Sequence, residues 1–178
     1  KIKNSRQKIA DILLSIGCVN INFKNKFTLT SGKRSPVYVD CRKLVSFPKE
    51  REIIIKEMSN FGKPILLATG ASSFSDVNSA MDLIYKKVPV CLMQCNTNYE
   101  ANSLHYKNQN ISVIDTYQNK WPDAQVGLSC HMKNNLGVIA AVTLGARIIE
   151  KHFTDDNSRK GPDHKFALNF EEFKQMVD

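Results

Sequence analysis

Four short apolar runs, separated by segments with helical spacing, constrain the fold of this chain more than any other feature. The runs are Pro64–Thr69, Val90–Gln94, Val126–Ser129 and Arg147–Lys151. Each has the length of a buried β-strand, and strands that alternate with helices predict a parallel sheet with right-handed crossover connections. The pattern alone leaves two architectures open, an open doubly wound sheet and a segment of a barrel.

Two histidines each follow the end of one of these runs. His131 ends the stretch QVGLSCH, His152 follows RIIEK, and an apolar segment of helix length, Asn135–Ala146, lies between them. A strand, a crossover helix and a second strand would place both imidazoles at the same end of neighbouring parallel strands, which lie about 4.8 Å apart. Side chains so placed could share one metal ion, but a pair of unrelated polar histidines fits the same spacing.

The front of the chain has a different pattern. A helix is predicted over Ser5–Ile16, where apolar residues recur at helical spacing before Gly17. Two strands, Phe27–Thr30 and Val37–Asp40, flank a turn rich in serine, glycine and proline, and together they predict a β-hairpin. A second helix is predicted over Lys49–Asn60, directly before the first apolar run.

Composition narrows the class of protein. Five cysteines form an odd number without a disulfide framework, which favours buried, reduced thiols. No apolar run reaches the ~20 residues that span a bilayer, and the basic N-terminus lacks the apolar stretch of a secretory signal, so we expect a cytoplasmic protein without a membrane partner. The net charge of +8 is spread along the chain, with no basic run among aromatics, and nucleic acid is therefore not an expected partner.

Six stretches in the second part of the chain carry a family resemblance. They are FGKPILLATGAS, LMQCNTNY, PDAQVGLSCH, GARIIEKHFTDD, GPDHKFAL and EEFKQMV. In this order they resemble the N-acetylneuraminate (sialic acid) synthase family, from about residue 60 to residue 178. The fold that the resemblance implies is α/β, a partial (βα)8 TIM barrel made of strands five to eight and preceded by a small α+β segment with a β-hairpin. Because a whole barrel needs ~200–250 residues, only its second half is expected here.

The resemblance also implies a reaction and a site. The implied enzyme is a carbon–carbon bond-forming transferase that condenses phosphoenolpyruvate with an N-acetylated amino sugar, at the carboxyl ends of the barrel strands. Its divalent metal ion, most often Mn²⁺, would be bound by His131 and His152. The implied catalytic residues are Asp163 and Tyr99, and the implied substrate-binding residues are Thr97, Asn98 and Ser129. Asp163, which follows Pro162, also fits an ordinary turn.

Some features depart from the family pattern. Cys130 stands where an aspartate is usual, Ala68 where a serine is usual, and Asn96 where a threonine is usual. A thiol cannot orient a neighbouring imidazole as a carboxylate does, so we expect weaker metal binding. The half-barrel that supplies a glutamate and lysines, and the C-terminal antifreeze-like domain, are expected to be absent, which predicts an incomplete or inactive synthase.

Residues 8–58, above all FTLTSGKRSPVYVDCRK, resemble the N-terminal segment of orotate phosphoribosyltransferase, without that family's paired-aspartate loop. We therefore predict two units, a transferase-like fragment over residues 1–59 and a synthase-like half-barrel over residues 60–178. Two alternatives to a synthase remain open, an orotate phosphoribosyltransferase-like protein and a non-catalytic fusion or truncation product. The four-strand count also motivates a homodimer in which two halves close one barrel.

Overall fold

The computed structural model describes residues 2–29, 31–98 and 103–178, which divide into two compact units. The first unit comprises residues 1–63 with 79–88, and the second comprises residues 64–78 with 89–178. The α-helices are α1 (Ile2–Ser15), α2 (Pro48–Ser59), α3 (Phe74–Ile84), α4 (Val113–Lys120), α5 (Leu136–Thr143) and α6 (Phe170–Val177). The strands are β1 (Val19–Ile21), β2 (Phe27–Thr28), β3 (Arg34–Ser35), β4 (Val37–Val39), β5 (Ile65–Ala68), β6 (Val90–Cys95), β7 (Gln125–Cys130) and β8 (Ile148–Lys151). Short 3₁₀ helices span Cys41–Ser46 and Ser103–Asn108.

One carboxylate ties the two helices at the front of the first unit together. Glu57 of α2 accepts hydrogen bonds from Lys8 Nζ and Ser5 Oγ of α1, both at 2.7 Å, and from Asn60 Nδ2 at 3.0 Å. The bonds from Lys8 and then Ser5 favour the ionised carboxylate and lower the pKa of Glu57 from 4.5 to about 2. The contact between α1 and α2 therefore depends on the charge of Glu57.

The hairpin of the first unit pairs differently from the sequence prediction. The sequence predicts that Phe27–Thr30 and Val37–Asp40 pair with each other, but β2 pairs with β3 and β4 pairs with β1. A tight turn, with Gly32 at φ +80° and Leu29 N–H bonded to the Lys33 carbonyl, returns the chain at once and forms the short β2–β3 hairpin. Pro36 has no N–H to continue that ladder, so the next residues pair elsewhere.

The second unit contains the predicted parallel sheet. Its strands lie in the order β5–β6–β7–β8, with α4 and α5 packed against the middle of the sheet. Leu92 of β6 and Leu128 of β7 are fully buried, and Val138 and Ala141 of α5 are buried as well. This is the arrangement of one half of a (βα)8 barrel, and it confirms the predicted fold class.

The first strand of that sheet is less buried than its apolar sequence suggests. Along β5 exposure alternates, and Leu66 is 53% exposed on the face that also carries Ala68. Successive side chains of a strand point to opposite faces, so one face of β5 packs inward while the other stays open in this unit. A continuous apolar run therefore did not distinguish a strand buried on both faces from one buried on a single face.

Two expectations from composition can be compared with the structure. Within the described ranges, no helix is long and apolar enough to cross a membrane. All five cysteines are free thiols, and Cys18, Cys91 and Cys130 are buried as predicted. The prediction is wrong for Cys41, which is exposed in the first unit, and Cys95 is only half-buried.

Replacing Glu57 with glutamine should weaken the first unit in a pH-dependent way. Because the folded pKa is depressed to about 2, the stabilisation by the carboxylate is fully present above its ordinary pKa of 4.5 and is lost as the pH falls towards 2. The difference in urea midpoint between wild type and Glu57→Gln should therefore shrink steadily across that window. Glu52→Gln, at an exposed position of the same helix, is the matched control, and an equal pH dependence in both variants would refute the assignment.

Candidate active site

The register of the last two strands brings His131 and His152 side by side. Cys130 is paired with Lys151 across β7 and β8, so the next residue of each strand lies at the same carboxyl edge of the sheet. The two imidazole rings have centroids 5.2 Å apart and are tilted by 55°. The ring of Phe166 packs against both, with its centroid 4.9 Å from that of His152 and 6.2 Å from that of His131.

A backbone carbonyl fixes the orientation of His131. Its Nδ1 lies 2.8 Å from the main-chain oxygen of Asn96, which directly follows β6. A carbonyl oxygen can only accept, so Nδ1 carries the hydrogen, and a neutral imidazole of this tautomer has its lone pair on Nε2. Metal-binding histidines are commonly held by this kind of hydrogen bond from the other ring nitrogen.

These residues fit the part of a metal site that histidine supplies. Two neighbouring imidazoles, one of them oriented through its Nδ1–H by a carbonyl, suit a first-row divalent ion. Within the described residues, no group of three or more His, Cys, Asp or Glu side chains is placed to hold an ion. The described chain therefore offers two nitrogen ligands, and water or substrate would complete the coordination.

Cys130 lies on the other face of its strand and not beside the imidazole. The thiol is 2% exposed, and its Sγ lies 3.6 Å from Nζ of Lys151, which also donates to the main-chain oxygens of Met132 and Asn134. Burial, the largest influence, lowers the pKa of Lys151. The expectation that a carboxylate at position 130 would orient His131 is therefore wrong, because adjacent residues of a strand face opposite sides.

A row of polar side chains crosses the sheet one step before the imidazoles. Cys95, Ser129 and Glu150 are register partners on β6, β7 and β8, and Ser129 Oγ donates to Glu150 Oε1 at 2.6 Å. Burial raises the pKa of the Cys95 thiol, and the negative charge of Glu150 adds to that shift. The sequence predicted Ser129 but missed Glu150 and Cys95. The sequence pattern that could have revealed Glu150 is its spacing, because it lies two residues before His152, as Ser129 lies two residues before His131. Residues two apart in a strand lie on the same face.

The loop after β6 carries the other predicted substrate-binding residues. Thr97 is exposed, and Asn98 is half-buried with its N–H bonded to Asn96 Oδ1 at 3.0 Å. A Cβ added to Gly70 would lie 2.4 Å from Thr97 Cγ2, so a larger residue there would force the Thr97 side chain to shift where the two loops meet. The predicted catalytic residue Tyr99 lies outside the described residues.

Asp163 is placed differently from the two histidines. It is exposed, and its main-chain oxygen accepts a hydrogen bond from Ala167 N–H. His164, which follows it, lies with Nδ1 2.7 Å from Thr154 Oγ1. Among the described residues, Asp163 does not form a metal-holding group with the imidazole pair, so its catalytic role stays a prediction.

The fold and the site define one half of a parallel (βα)8 barrel with paired imidazoles at the carboxyl ends of its strands. The NeuB family model matches residues 33–178, and the chain belongs to the NeuB family. This confirms the resemblance to sialic acid synthases. The match begins inside the front segment, whose resemblance to orotate phosphoribosyltransferase stays a prediction, as does the domain boundary at residue 59.

Relatives of known name share the second part of the chain. The spore coat polysaccharide biosynthesis protein SpsE of Bacillus subtilis is 34% identical over 139 residues, which are 76% of this chain and 36% of that protein. The pseudaminic acid synthase of Campylobacter jejuni is 32% identical over 76% of this chain and 39% of its own length. This chain thus spans little more than a third of the curated relatives that it matches.

A solved structure shows the same fold. The crystal structure of N-acetylneuraminic acid (sialic acid) synthetase from Leptospira borgpetersenii, in complex with citrate, superposes with a TM-score of 0.63. It is 30% identical to this chain, and the superposition covers 70% of this chain and 42% of that one.

The contact between Cys130 and Lys151 predicts a strong coupling between these two positions. Cys130→Asp should be tolerated. It should raise the pKa of Lys151, because the ammonium group gains an anion beside it. Combining it with Lys151→Met leaves a buried carboxylate unpaired and should cost about 3–5 kcal/mol beyond the sum of the single changes. Denaturant unfolding measures this coupling, Cys130→Asn is the uncharged control, and additive effects would contradict the described geometry.

Proposed function

We propose that this chain carries the metal-binding half of a synthase that condenses phosphoenolpyruvate with an N-acetylated amino sugar. His131 and His152 are the proposed ligands of a divalent ion, Mn²⁺ first among the candidates. The observation that carries the proposal is the pair of imidazole rings, 5.2 Å apart, at the carboxyl ends of neighbouring strands in a chain of the NeuB family. The names of its relatives, synthases of sialic and pseudaminic acids, support the substrate class.

The reaction places distinct demands on the site. The methylene carbon of phosphoenolpyruvate attacks the open-chain aldehyde of the sugar, water adds to the other enol carbon, and phosphate leaves by cleavage of its C–O bond. A bound divalent ion supplies polarisation of the aldehyde oxygen. The protein has to keep the imidazoles neutral and oriented, hold both substrates, and place a group that can accept a proton.

The described residues meet several of these demands. The Asn96 carbonyl holds the Nδ1–H of His131, which keeps Nε2 as the ligating nitrogen. Glu150 is exposed beside the imidazole pair and is held by Ser129, so its carboxylate can orient a water molecule and take up the proton that the water loses. Thr97 and Asn98 can donate hydrogen bonds to substrate oxygens at the edge formed by β6.

The other predicted roles belong to the proposal as well. Asp163, which is exposed, would face the sugar, and Tyr99 would line the same pocket. We further propose a cytoplasmic location and a homodimer in which two sheets of this kind complete one barrel. Light scattering on the purified chain tests the last point, because a stable monomer would exclude the dimer.

Manganese binding should depend on both imidazoles. His131→Ala and His152→Ala should each weaken Mn²⁺ binding by about 100-fold or more, since even residues that only support a metal ligand contribute about 10–100-fold. Calorimetric titration measures the affinity without any need for turnover. His164→Ala is the matched control, because that ring bonds to Thr154, and metal binding that survives in both ligand variants would refute the site.

Turnover should require the metal ion and Glu150 together. Phosphate release from phosphoenolpyruvate with N-acetylmannosamine should appear with Mn²⁺, vanish with a chelator, and fall by about 10²–10⁴-fold in Glu150→Gln. Glu171→Gln, which changes an exposed glutamate on α6, is the control and should leave phosphate release unchanged. Release that ignores the chelator would contradict the mechanism, and no release from a folded, Mn²⁺-binding chain would favour the non-catalytic alternative.

A further inference from the structure

The net charge of the chain is concentrated at its front. The first 63 residues contain 14 Lys and Arg against 5 Asp and Glu, a net charge of +9, whereas residues 64–178 contain 11 against 12, a net charge of −1. Basic residues occur along the whole chain, but acidic residues balance them only in the second part. Because these 63 residues form most of the first unit, that unit should attract an anionic partner.

One stretch of the first unit carries positive charge alone. Between Asp11 and Asp40 the sequence has no acidic residue and four basic ones. These four, which lie on or just before the β2–β3 hairpin and are all exposed, are the hairpin cations Lys24, Lys26, Lys33 and Arg34. Among the described residues, none of them forms an ion pair with a carboxylate. Their charge is therefore available to an anion outside the chain.

An uncovered apolar face lies beside these cations, on the ribbon formed by β1 and β4. Val19 is paired with Val39 and Ile21 with Val37, so all four side chains share one face of the ribbon. Ile21, Val37 and Val39 are 58%, 41% and 50% exposed, and these three form the ribbon face. Phe23, two residues beyond Ile21, is 74% exposed as well.

The opposite face of the same ribbon is covered by the unit itself. Tyr38 lies between Val37 and Val39 and points to the other side, where its ring packs against Phe27 with centroids 5.7 Å apart. The Tyr38 hydroxyl also accepts a hydrogen bond from Arg42 at 3.1 Å. The ribbon is therefore packed on one face and bare on the other, and adjoining exposed apolar side chains of this kind mark an interaction surface.

The combination of aliphatic side chains with cations indicates the chemistry of the partner. A single-stranded nucleic acid is held through its phosphates and by stacking of bases on aromatic rings, and Ile21, Val37 and Val39 offer neither contact. An anionic bilayer uses both features, because apolar side chains enter the boundary below the headgroups while cations stay at the lipid phosphates. Lysine suits this position, since its stem lies along apolar surface while its ammonium group stays in water.

We propose that the first unit docks onto an anionic lipid surface, with the ribbon face and Phe23 against the lipid and the hairpin cations at the headgroups. Docking of this kind uses no membrane-spanning helix, so it stands apart from the expectation, drawn from the length of the apolar runs, of no membrane partner. The proposal goes beyond the condensation reaction, because it involves neither the imidazoles nor a metal ion. Its failure would leave the proposed synthase function untouched.

The experiment is flotation of the full chain with lipid vesicles. Vesicles of equal parts phosphatidylserine and phosphatidylcholine should bind the chain, phosphatidylcholine alone should bind it far more weakly, and added salt should weaken the binding. Lys26→Gln combined with Lys33→Gln should weaken binding by about 25-fold, since each cation near an anionic surface contributes about fivefold. Lys49→Gln combined with Lys56→Gln removes the same charge from exposed positions of α2 and is the matched control, with a much smaller effect expected.

A second variant tests the apolar contact without changing the charge. Ile21→Thr combined with Val39→Thr should weaken vesicle binding by about tenfold, because two apolar side chains no longer enter the lipid. Both positions are exposed and threonine favours strands, so the ribbon should still form, which circular dichroism can check. Met58→Gln changes an exposed apolar residue of α2 and should leave binding unchanged.

Several results would overturn the proposal. Absence of binding to the anionic vesicles would do so directly. Equal losses in the hairpin and α2 charge variants would show attraction by the whole unit and no docking at this surface. Unchanged vesicle binding in the threonine variant would exclude contact of the ribbon face with lipid. Tighter binding to polyuridylate RNA or to polyglutamate than to the vesicles would assign the surface to a nucleic acid or to an acidic protein instead.

Discussion

The parallel pairing of β7 with β8 is the constraint on which the rest of the second unit depends. Its register sets Ser129 beside Glu150, and therefore His131 beside His152. A slip of one residue would exchange the two faces of a strand and turn Lys151 towards the site. Fully buried Leu128 opposes that slip, because the same slip would move it out of the helix-covered core.

The sequence predicted the imidazole pair because two simple regularities determine it. Strands of like direction end at the same edge, and each histidine follows its strand directly. The hairpin of the first unit was predicted with the wrong partners because pairing there depends on a turn at Gly32 and on Pro36, whose combined effect is not visible in an alternation pattern. Glu150 was missed because its sequence signal, the two-residue spacing before His152, has meaning only once the register with Ser129 is known.

The two faces of the strand ends serve different chemistries. On the imidazole face, Glu150 and the paired rings can act on water, protons and a metal ion. On the helix-covered face, Lys151 is enclosed by Cys130 and main-chain oxygens, so its charge supports the strand ends and not the site. The cysteine at position 130, where the family usually has aspartate, therefore affects packing around the half-buried ammonium group of Lys151. The imidazole site can keep its geometry without that carboxylate.

Charge balance links the proposed ligands of the imidazole site to one another. Phosphoenolpyruvate carries a phosphate and a carboxylate, and such anions are held best by cations. Beside the imidazoles, Glu150 accepts a hydrogen bond from Ser129, and Lys151 lies on the opposite face. A bound metal ion would add positive charge at this edge, so the metal ion and the anionic substrate should bind cooperatively.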